Sequence, residues 1–273
     1  MREIAPERRS LSFANLEELW EFREVLWAFA VRAVKVKYKQ AVIGVGWALL
    51  QPVLAALLFA LIFGHLAKVP TKSGTPYLLF ALAGMTCWTY VNTAISTASE
   101  SMVIDQTLLR KVYFPREVIP LGAVGAALVD FGPALIVLFF VAGLYGEAPA
   151  LSWILLPVLL LTLVAVSASV GLVLGGLNVY YRDVRYAVPF VLQIGLFASA
   201  VVYPLSLLGH PWATVFGIAN PVAGTIDGMR HVVAQGTWPN AAVTAGALGW
   251  ALFLLVAGYA LFERIERGMG DRV

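Results

Sequence analysis

The chain has 273 residues, of which 60% are hydrophobic and only 13% are charged, and its formal net charge is +3. Soluble domains average about 25% charged residues, so this composition and the mean hydropathy of +0.82 exclude an ordinary soluble protein. Apolar stretches of about 20 residues recur along the chain, and each can cross a hydrocarbon core about 30 Å thick. We therefore expect an all-α polytopic membrane protein. The single cysteine, Cys87, excludes a disulfide framework, and three widely separated histidines suggest no metal site.

The first forty residues are charged throughout, so we expect no cleavable signal peptide and predict a surface helix instead. Asn15 followed by Glu18 has the spacing of a capping box at the start of this helix. At 100° per residue the apolar side chains share one face: Leu16, Leu19, Trp20, Leu26, Trp27, Ala30, Val31, Val34 and Tyr38. An amphipathic helix with two tryptophans and a basic end is typical of one lying in the plane of the membrane surface.

Four cations near the end of this helix allow two interpretations. The cations are Arg32, Lys35, Lys37 and Lys39. Either they only set the orientation of the chain and hold the helix at the lipid surface, or they also contact an anionic, lipid-linked substrate.

Six apolar segments are candidate transmembrane helices: 43–66, 77–98, 118–145, 153–176, 187–208 and 241–262. Pro204 and the polar, Gly/Pro-rich segment 209–239 leave the end of the fifth span open. The predicted organisation is a cytoplasmic N-terminal segment, 1–42, a six-helix transmembrane domain, 43–262, and a cytoplasmic tail, 263–273.

The positions of the lysines and arginines predict the orientation of the spans, because cytoplasmic loops carry an excess of these residues. Sixteen of the 19 lie before the first span, in loops 99–117 and 177–186, or in the tail, and three lie in the opposite loops. Both termini are therefore predicted to be cytoplasmic.

Asp130 is the only ionisable residue deep in a predicted span, and an intramembrane carboxylate is a functional candidate. No second acid, histidine or lysine lies at comparable depth in the sequence, which favours a satisfied helix-packing acid, or a protonated one, over a proton relay. Ser167, Gly171 and Gly175 recur at four-residue spacing in the fourth span, and such a ridge of small residues lets another helix approach closely.

The sequence contains no G-x-x-x-x-G-K-[ST] phosphate loop and no other nucleotide signature. Ion-coupled carriers usually show intramembrane charges or paired broken helices in two repeated halves, and neither pattern is present beyond Asp130. A soluble partner ATPase that binds the cytoplasmic loops would supply the energy for active transport.

The cytoplasmic segment TLLRKVYFPRE, residues 107–117, concentrates three cations, two aromatics and a proline between two spans. Pro115 prevents a continuous helix and favours an extended backbone at Phe114. A short helix before the proline, parallel to the membrane, would present Tyr113 and Phe114 to a soluble subunit. A loop that only sets topology and carries interfacial aromatics is the simpler alternative.

Extended to LLRKVYFPREVIPL (108–121), this segment resembles the cytoplasmic loop of permease subunits of bacterial ABC exporters for cell-surface polysaccharides such as O-antigen and teichoic acid. Three further segments resemble the same family in the same order: VKVKYKQAVIGVGWALLQP (34–52), LNVYYRDVRYAVPFVLQ (177–193) and ANPVAGTIDGMRH (219–231). In the last of these segments, the family pattern has an acidic residue and an aromatic where this sequence has Asp227 and Met229. Because Met229 is not aromatic, the chemistry of the external gate stays open.

The resemblance implies a homodimer in the bacterial inner membrane that binds two soluble ABC nucleotide-binding subunits, with ATP and Mg²⁺ on those subunits. It implies a channel between the two copies, a polymer substrate on a polyprenyl pyrophosphate lipid, no cofactor on this chain and no nucleic acid. Short external gate helices would form in segment 209–239. The implied ATPase-coupling residues are Arg110, Lys111, Val112, Tyr113, Phe114, Pro115, Arg116, Arg182 and Asp183. The aromatics available to stack on sugar rings are Trp47, Phe59, Phe63, Trp88, Tyr90, Phe197 and Tyr203.

Two other classes of protein stay open at this point. One is a permease of the same architecture for a small drug or lipid, and the other is an ATP-independent channel or scramblase. An integral-membrane enzyme is not indicated, because the sequence has no clustered acids or histidines. We therefore expect a transport subunit that is not itself an enzyme.

Overall fold

The computed structural model describes residues 21–39, 46–71, 74–109 and 114–268, and no strand occurs among them. The helices are α1 Arg23–Tyr38, α2 Gly46–Phe59, α3 Tyr77–Ile104, α4 Gln106–Leu109, α5 Val118–Leu144, α6 Leu156–Tyr180, α7 Val184–Ala198, α8 Trp212–Ala219, α9 Pro221–Met229 and α10 Ala241–Glu266. Additional π-helical and 3-10 turns cover Ala60–Leu66, Leu151–Leu155, Leu205–Leu208 and Arg230–Ala234. The predicted all-α fold is confirmed for this part of the chain. The predicted start of the surface helix, the first residues of the first span and residues 269–273 of the tail lie outside it.

Five helical segments among the described residues are long and apolar enough to cross a membrane. They are Leu49–Leu66, Tyr77–Ile104, Val118–Leu144, Leu151–Tyr180 and Ala241–Glu266. The predicted fifth span, 187–208, corresponds to α7, which has 15 residues and ends at Ala198. Ala200 adopts a left-handed backbone with a φ of 54°, which no longer continues a helix. Five of the six predicted spans therefore have the required length, and α7 is shorter than the roughly 20 residues of an ordinary span.

Helix α3 forms the centre of the bundle, and 78% of its most apolar stretch is buried against neighbouring helices. A Cβ atom added at Gly171 of α6 would lie 2.7 Å from the Cβ of Ala98 in α3. One added at Gly175 would lie 2.9 Å from the Ala98 carbonyl oxygen. Since real Cβ atoms do not approach so closely, α6 can pack this near to α3 only because glycines occupy both positions. The predicted ridge of small residues, with Ser167 fully buried, is thus a helix-packing surface.

Two short helices, α8 and α9, precede the last span, and Arg230 joins this outer segment to the centre of the bundle. Its side chain is 2% exposed and donates hydrogen bonds of 2.5–3.3 Å to the carbonyl oxygens of Phe80, Ala200, Val201 and Tyr203. The guanidinium carbon also lies 3.5 Å from the centroid of the Phe80 ring. Burial lowers the pKa of Arg230 to about 10, so the side chain is still charged at neutral pH. Three of the four carbonyls follow the end of α7, where helical partners are lost, and the buried cation satisfies them.

Replacing Arg230 with methionine keeps a long side chain but removes every donor to these carbonyls. We expect the free energy of unfolding to fall by about 3 kcal/mol or more, because each unsatisfied buried carbonyl costs about 1–3 kcal/mol. The measurement is the thermal unfolding midpoint of the purified chain. Arg267→Met, at an exposed position after α10, is the control and should leave the midpoint unchanged. A wild-type midpoint for Arg230→Met would mean that the carbonyls are satisfied without the guanidinium.

Candidate functional site

The segment before α5, which is predicted to be cytoplasmic, is held against the core by Phe114. Four of its predicted coupling residues lie outside the described residues: Arg110, Lys111, Val112 and Tyr113. Phe114 is 8% exposed, and its ring centroid lies 5.5 Å from that of Phe29 in α1. Phe114 belongs to a cluster of buried apolar side chains: Met102, Val118, Ile119, Leu172 and Phe262. In this structure Phe114 therefore fixes the segment to the protein's own core, while the neighbouring Pro115 and Arg116 remain partly exposed.

Polar contacts tie the same segment to the end of the last span. The Nε atom of Arg116 lies 3.7 Å from Oε1 of Glu266. The next residue, Glu117, is 7% exposed and accepts a 3.0 Å hydrogen bond from the Tyr259 hydroxyl. Sequence reasoning missed Glu117 and Tyr259. The available signal was a carboxylate directly before one span and a tyrosine near the C-terminal end of another.

The loop between α6 and α7, the second one predicted to be cytoplasmic, contains the predicted coupling residues Arg182 and Asp183, and both are exposed. The neighbouring Arg185 pairs with Glu100 at the end of α3, with 3.4 Å between Nε and Oε1. Arg182, Arg185, Glu100 and Tyr186 line a groove of about 390 Å³ between the ends of α3, α6 and α7. The groove combines apolar side chains with two guanidinium groups, which is a composition suited to contact with another protein.

Helix α1 packs along the first half of α5. Ala30 is buried there, and a Cβ atom added at Gly122 of α5 would lie only 3.0 Å from the Cβ of Phe29. Of the predicted apolar face, Leu26, Ala30, Val31, Val34 and Tyr38 are at least half-buried. Trp27, in contrast, is 69% exposed. One part of the apolar face of α1 therefore packs against the bundle, and the part that carries Trp27 is exposed on the surface of the protein.

Asp130 has partners at the end of α1. Lys37 and Tyr38 both contact its carboxylate. Trp47 and Gln51, at the start of α2, line the same cavity as these three residues, so Asp130 lies level with the start of the first span. The prediction that no lysine lies at the depth of Asp130 is therefore wrong, because the fold packs the end of α1 against α5. Burial and the adjacent carboxylate raise the pKa of the Tyr38 phenol, so it stays a hydrogen-bond donor at neutral pH.

The four cations predicted to contact an anionic ligand, at or directly after the end of α1, differ in their electrostatic surroundings. Arg32 donates a 2.8 Å hydrogen bond to Asp105, and Lys37 contacts Asp130, so both cations are compensated within the chain. Lys35 and Lys39 are exposed and form no ion pair with a described residue. The positive charge available to an anionic ligand is therefore concentrated at Lys35 and Lys39.

The seven aromatics predicted along a glycan path fall into separate groups. Trp47 and Phe59 lie in α2, and Phe63 lies in the π-helical turn that follows it. Trp88 and Tyr90 lie in α3, and Phe197 and Tyr203 lie at or after the end of α7. Trp88 is 5% exposed and packs against α7, whereas Tyr90 is 2% exposed and lines a cavity with Trp47. The rings of Phe59 and Phe63 lie 5.9 Å apart, and Phe197 is about half exposed.

A bundle of apolar helices long enough to span a membrane, with no strand among its described residues, is typical of a polytopic membrane protein. Residues 24–233 match the ABC-2 type transporter family, and the chain belongs to this family. It is 26% identical over 250 residues to the O-antigen export system permease protein RfbA of Myxococcus xanthus, covering 91% of this chain and 95% of that protein. It is 24% identical over 237 residues to a protein of the same description from Klebsiella pneumoniae, covering 85% and 88%. The predicted resemblance to polysaccharide-export permeases is confirmed, and the matched region includes α1.

A double-mutant cycle on Lys37 and Asp130 measures the contact between α1 and α5. We expect Lys37→Met and Asp130→Asn each to lower the free energy of unfolding by about 1–2 kcal/mol, because either change removes the ion pair of a largely buried carboxylate. The double variant should lose little more than one single variant, since both changes break the same contact. Thermal unfolding of the purified proteins gives the values, and Lys35→Met is the matched control. Additive losses would show that the two residues stabilise the chain independently.

Proposed function

We propose that the chain is the transmembrane permease subunit of an ATP-driven ABC exporter that moves a lipid-linked glycan, such as O-antigen on polyprenyl pyrophosphate, out of the cytoplasm. The observation that carries this proposal is similarity along nearly the whole chain to permease proteins described for O-antigen export. The same similarity favours a glycan over a small drug or lipid as the substrate. Membership of an ABC-type family disfavours an ATP-independent channel or scramblase.

ATP hydrolysis is assigned to a separate soluble subunit, because the sequence of this chain has no phosphate loop. Two copies of that subunit, each binding ATP and Mg²⁺, would contact the cytoplasmic segments 99–117 and 177–186. The exposed groove beside Arg182 and the partly exposed Arg116 support this location. The chain itself is then a transport subunit with no catalytic residues.

Two copies of the chain form the export path in this proposal. Helix α2 and the π-helical turn after it present a broad apolar face, including Leu54, Leu58 and Leu61, and α7 presents Phe190 and Ile194. In a bacterial inner membrane such faces contact lipid or a second copy of the chain. The uneven distribution of lysine and arginine supports cytoplasmic termini. Exposed Lys35 and Lys39 are then on the side from which a lipid pyrophosphate arrives.

The direct test is deletion of the chain in cells that synthesise a surface glycan. We expect lipid-linked glycan to accumulate on the cytoplasmic side and surface glycan to disappear, with both restored by the wild-type chain. The purified chain alone should hydrolyse no ATP, and it should co-purify with a soluble ATPase when the two are expressed together. Unchanged surface glycan, or ATP hydrolysis by the chain alone, would contradict the proposal.

Tyr259→Phe tests transmission through the cytoplasmic segment, because it removes only the hydroxyl that hydrogen-bonds the buried Glu117. A hydrogen bond to a charged group contributes about 1.5–3 kcal/mol, so the segment should lose much of its connection to α10. We expect normal membrane levels and normal ATPase binding, with several-fold less glycan exported for each ATP hydrolysed. Tyr145→Phe, at the other end of α5, is the control and should transport as wild type does. An unchanged ratio of transport to hydrolysis for Tyr259→Phe would exclude this contact from coupling.

A further inference from the structure

A cavity of about 80 Å³ lies between α2, α3 and α5 and is lined by polar side chains. The hydroxyl and amide groups along it are those of Gln51, Thr86, Thr89, Tyr90 and Thr93. Four of the five belong to α3 and recur at helical spacing, so they form one polar stripe on the most buried span. Polar side chains that face the interior of a membrane protein are expensive to keep and commonly mark a path for a polar substrate.

Two of these hydroxyls are buried without a partner. The Thr86 side chain is 0% exposed and the Tyr90 side chain 2% exposed, and neither hydroxyl makes a hydrogen bond within the described chain. A buried hydroxyl without a partner destabilises the folded protein. Because both hydroxyls line the same cavity, they are placed to bind the polar groups of a guest.

The cavity meets a larger groove at Asp130. This groove, between α1, α3 and α5, has a volume of about 410 Å³, which is within the usual range of small-molecule sites. Lys37, Tyr38, Thr93 and Asp130 line both spaces, and Thr97 continues the polar stripe into the groove. The two spaces thus form adjoining parts of one site within a single copy of the chain.

The charges around the groove disfavour an anionic ligand. Its described lining contains two cations and three carboxylates: Arg32, Lys37, Glu100, Asp105 and Asp130. Both cations already contact a carboxylate of the groove. A phosphate or pyrophosphate would therefore meet no uncompensated positive charge, whereas an uncharged group rich in hydroxyls would meet donors and acceptors.

We propose that this cavity and groove bind an uncharged sugar residue through the hydroxyls of Thr86 and Tyr90, beside Asp130. The inference rests on the proposed function in one respect only, which is that the exported glycan supplies the sugar. It assigns the sugar to a site inside each copy and gives Tyr90 a hydrogen-bonding role through its hydroxyl. The pyrophosphate is left to other residues, such as Lys35 and Lys39.

The double variant Thr86→Val with Tyr90→Phe nearly preserves side-chain volume and removes both unpartnered hydroxyls. If the two hydroxyls had no function, their removal would leave the stability of the protein equal or higher and would leave export unchanged. The proposal predicts an unfolding midpoint no lower than that of the wild type, unchanged ATPase binding and export reduced about tenfold or more. Ser167→Ala removes a buried unpartnered hydroxyl from α6, outside this cavity, and should leave export unchanged. Wild-type export by the double variant, or loss of export that follows a lower unfolding midpoint, would overturn the proposal.

A protection experiment reads occupancy of the site directly. Cys87 is buried and is the only cysteine, so Cys87→Ala with Thr89→Cys places one thiol in the cavity. A small uncharged thiosulfonate reagent should label it in membranes that contain the complete transporter and no glycan. Labelling should slow about fivefold or more when a hydrolysis-deficient ATPase keeps lipid-linked glycan bound. If an added free monosaccharide also slows the labelling of Thr89→Cys, the result would support the site, with the soluble sugar as the bound ligand.

Equal labelling in all three membranes would overturn the site. Failure of the proposed function is distinguishable from this result, because deletion of the chain would then leave no accumulated lipid-linked glycan. Glycan accumulation on deletion, together with unprotected Thr89→Cys, would keep the exporter and remove only this sugar site.

Discussion

A charge removed from water must be paired or fully hydrogen-bonded, and this constraint fixes the arrangement of the helices. Arg230, Asp130 and Glu117 are largely buried, and each contacts a residue distant in sequence. Arg230 and Glu117 lie at opposite ends of the bundle, with Asp130 between them. Apolar helices in lipid have little preference for one register over another, because lipid tails are as apolar as leucine. The paired charges therefore set which helices are neighbours and at what height.

The segment before α5 connects several helices at once. Phe114 contacts the core shared by α1, α3, α5, α6 and α10, and Glu117 is hydrogen-bonded to Tyr259 of α10. Tyr180, where the second loop begins, donates a 2.8 Å hydrogen bond to the Ile265 carbonyl oxygen of α10. A force applied to either loop would consequently act on the last span. The proposed coupling to a separate ATPase subunit requires such a connection.

Much of the fold could be predicted from local sequence, whereas the length of α7, the partner of Asp130 and the burial of Phe114 could not. Hydropathy located five of the six predicted spans, because crossing a membrane requires a long apolar stretch and little else. It overestimated α7, because the backbone at Ala200 turns although the sequence stays apolar. Sequence reasoning found no partner for Asp130, since Lys37 is 93 residues away along the chain. It also predicted an exposed ring for Phe114, whose surroundings come from four other segments.

By itself the sequence determined the class of protein, the positions of most spans, the uneven distribution of cations and the family. These depend on composition, on the 1.5 Å rise per helical residue and on short segments that are read in order. Only the tertiary structure decided which polar groups are satisfied and which are not. Thr86 and Tyr90 look like ordinary residues of an apolar helix, yet they share a cavity with Asp130 and the end of α1. Burial and partnership depend on distances between segments that are remote in the chain, and helical periodicity carries no information about those distances.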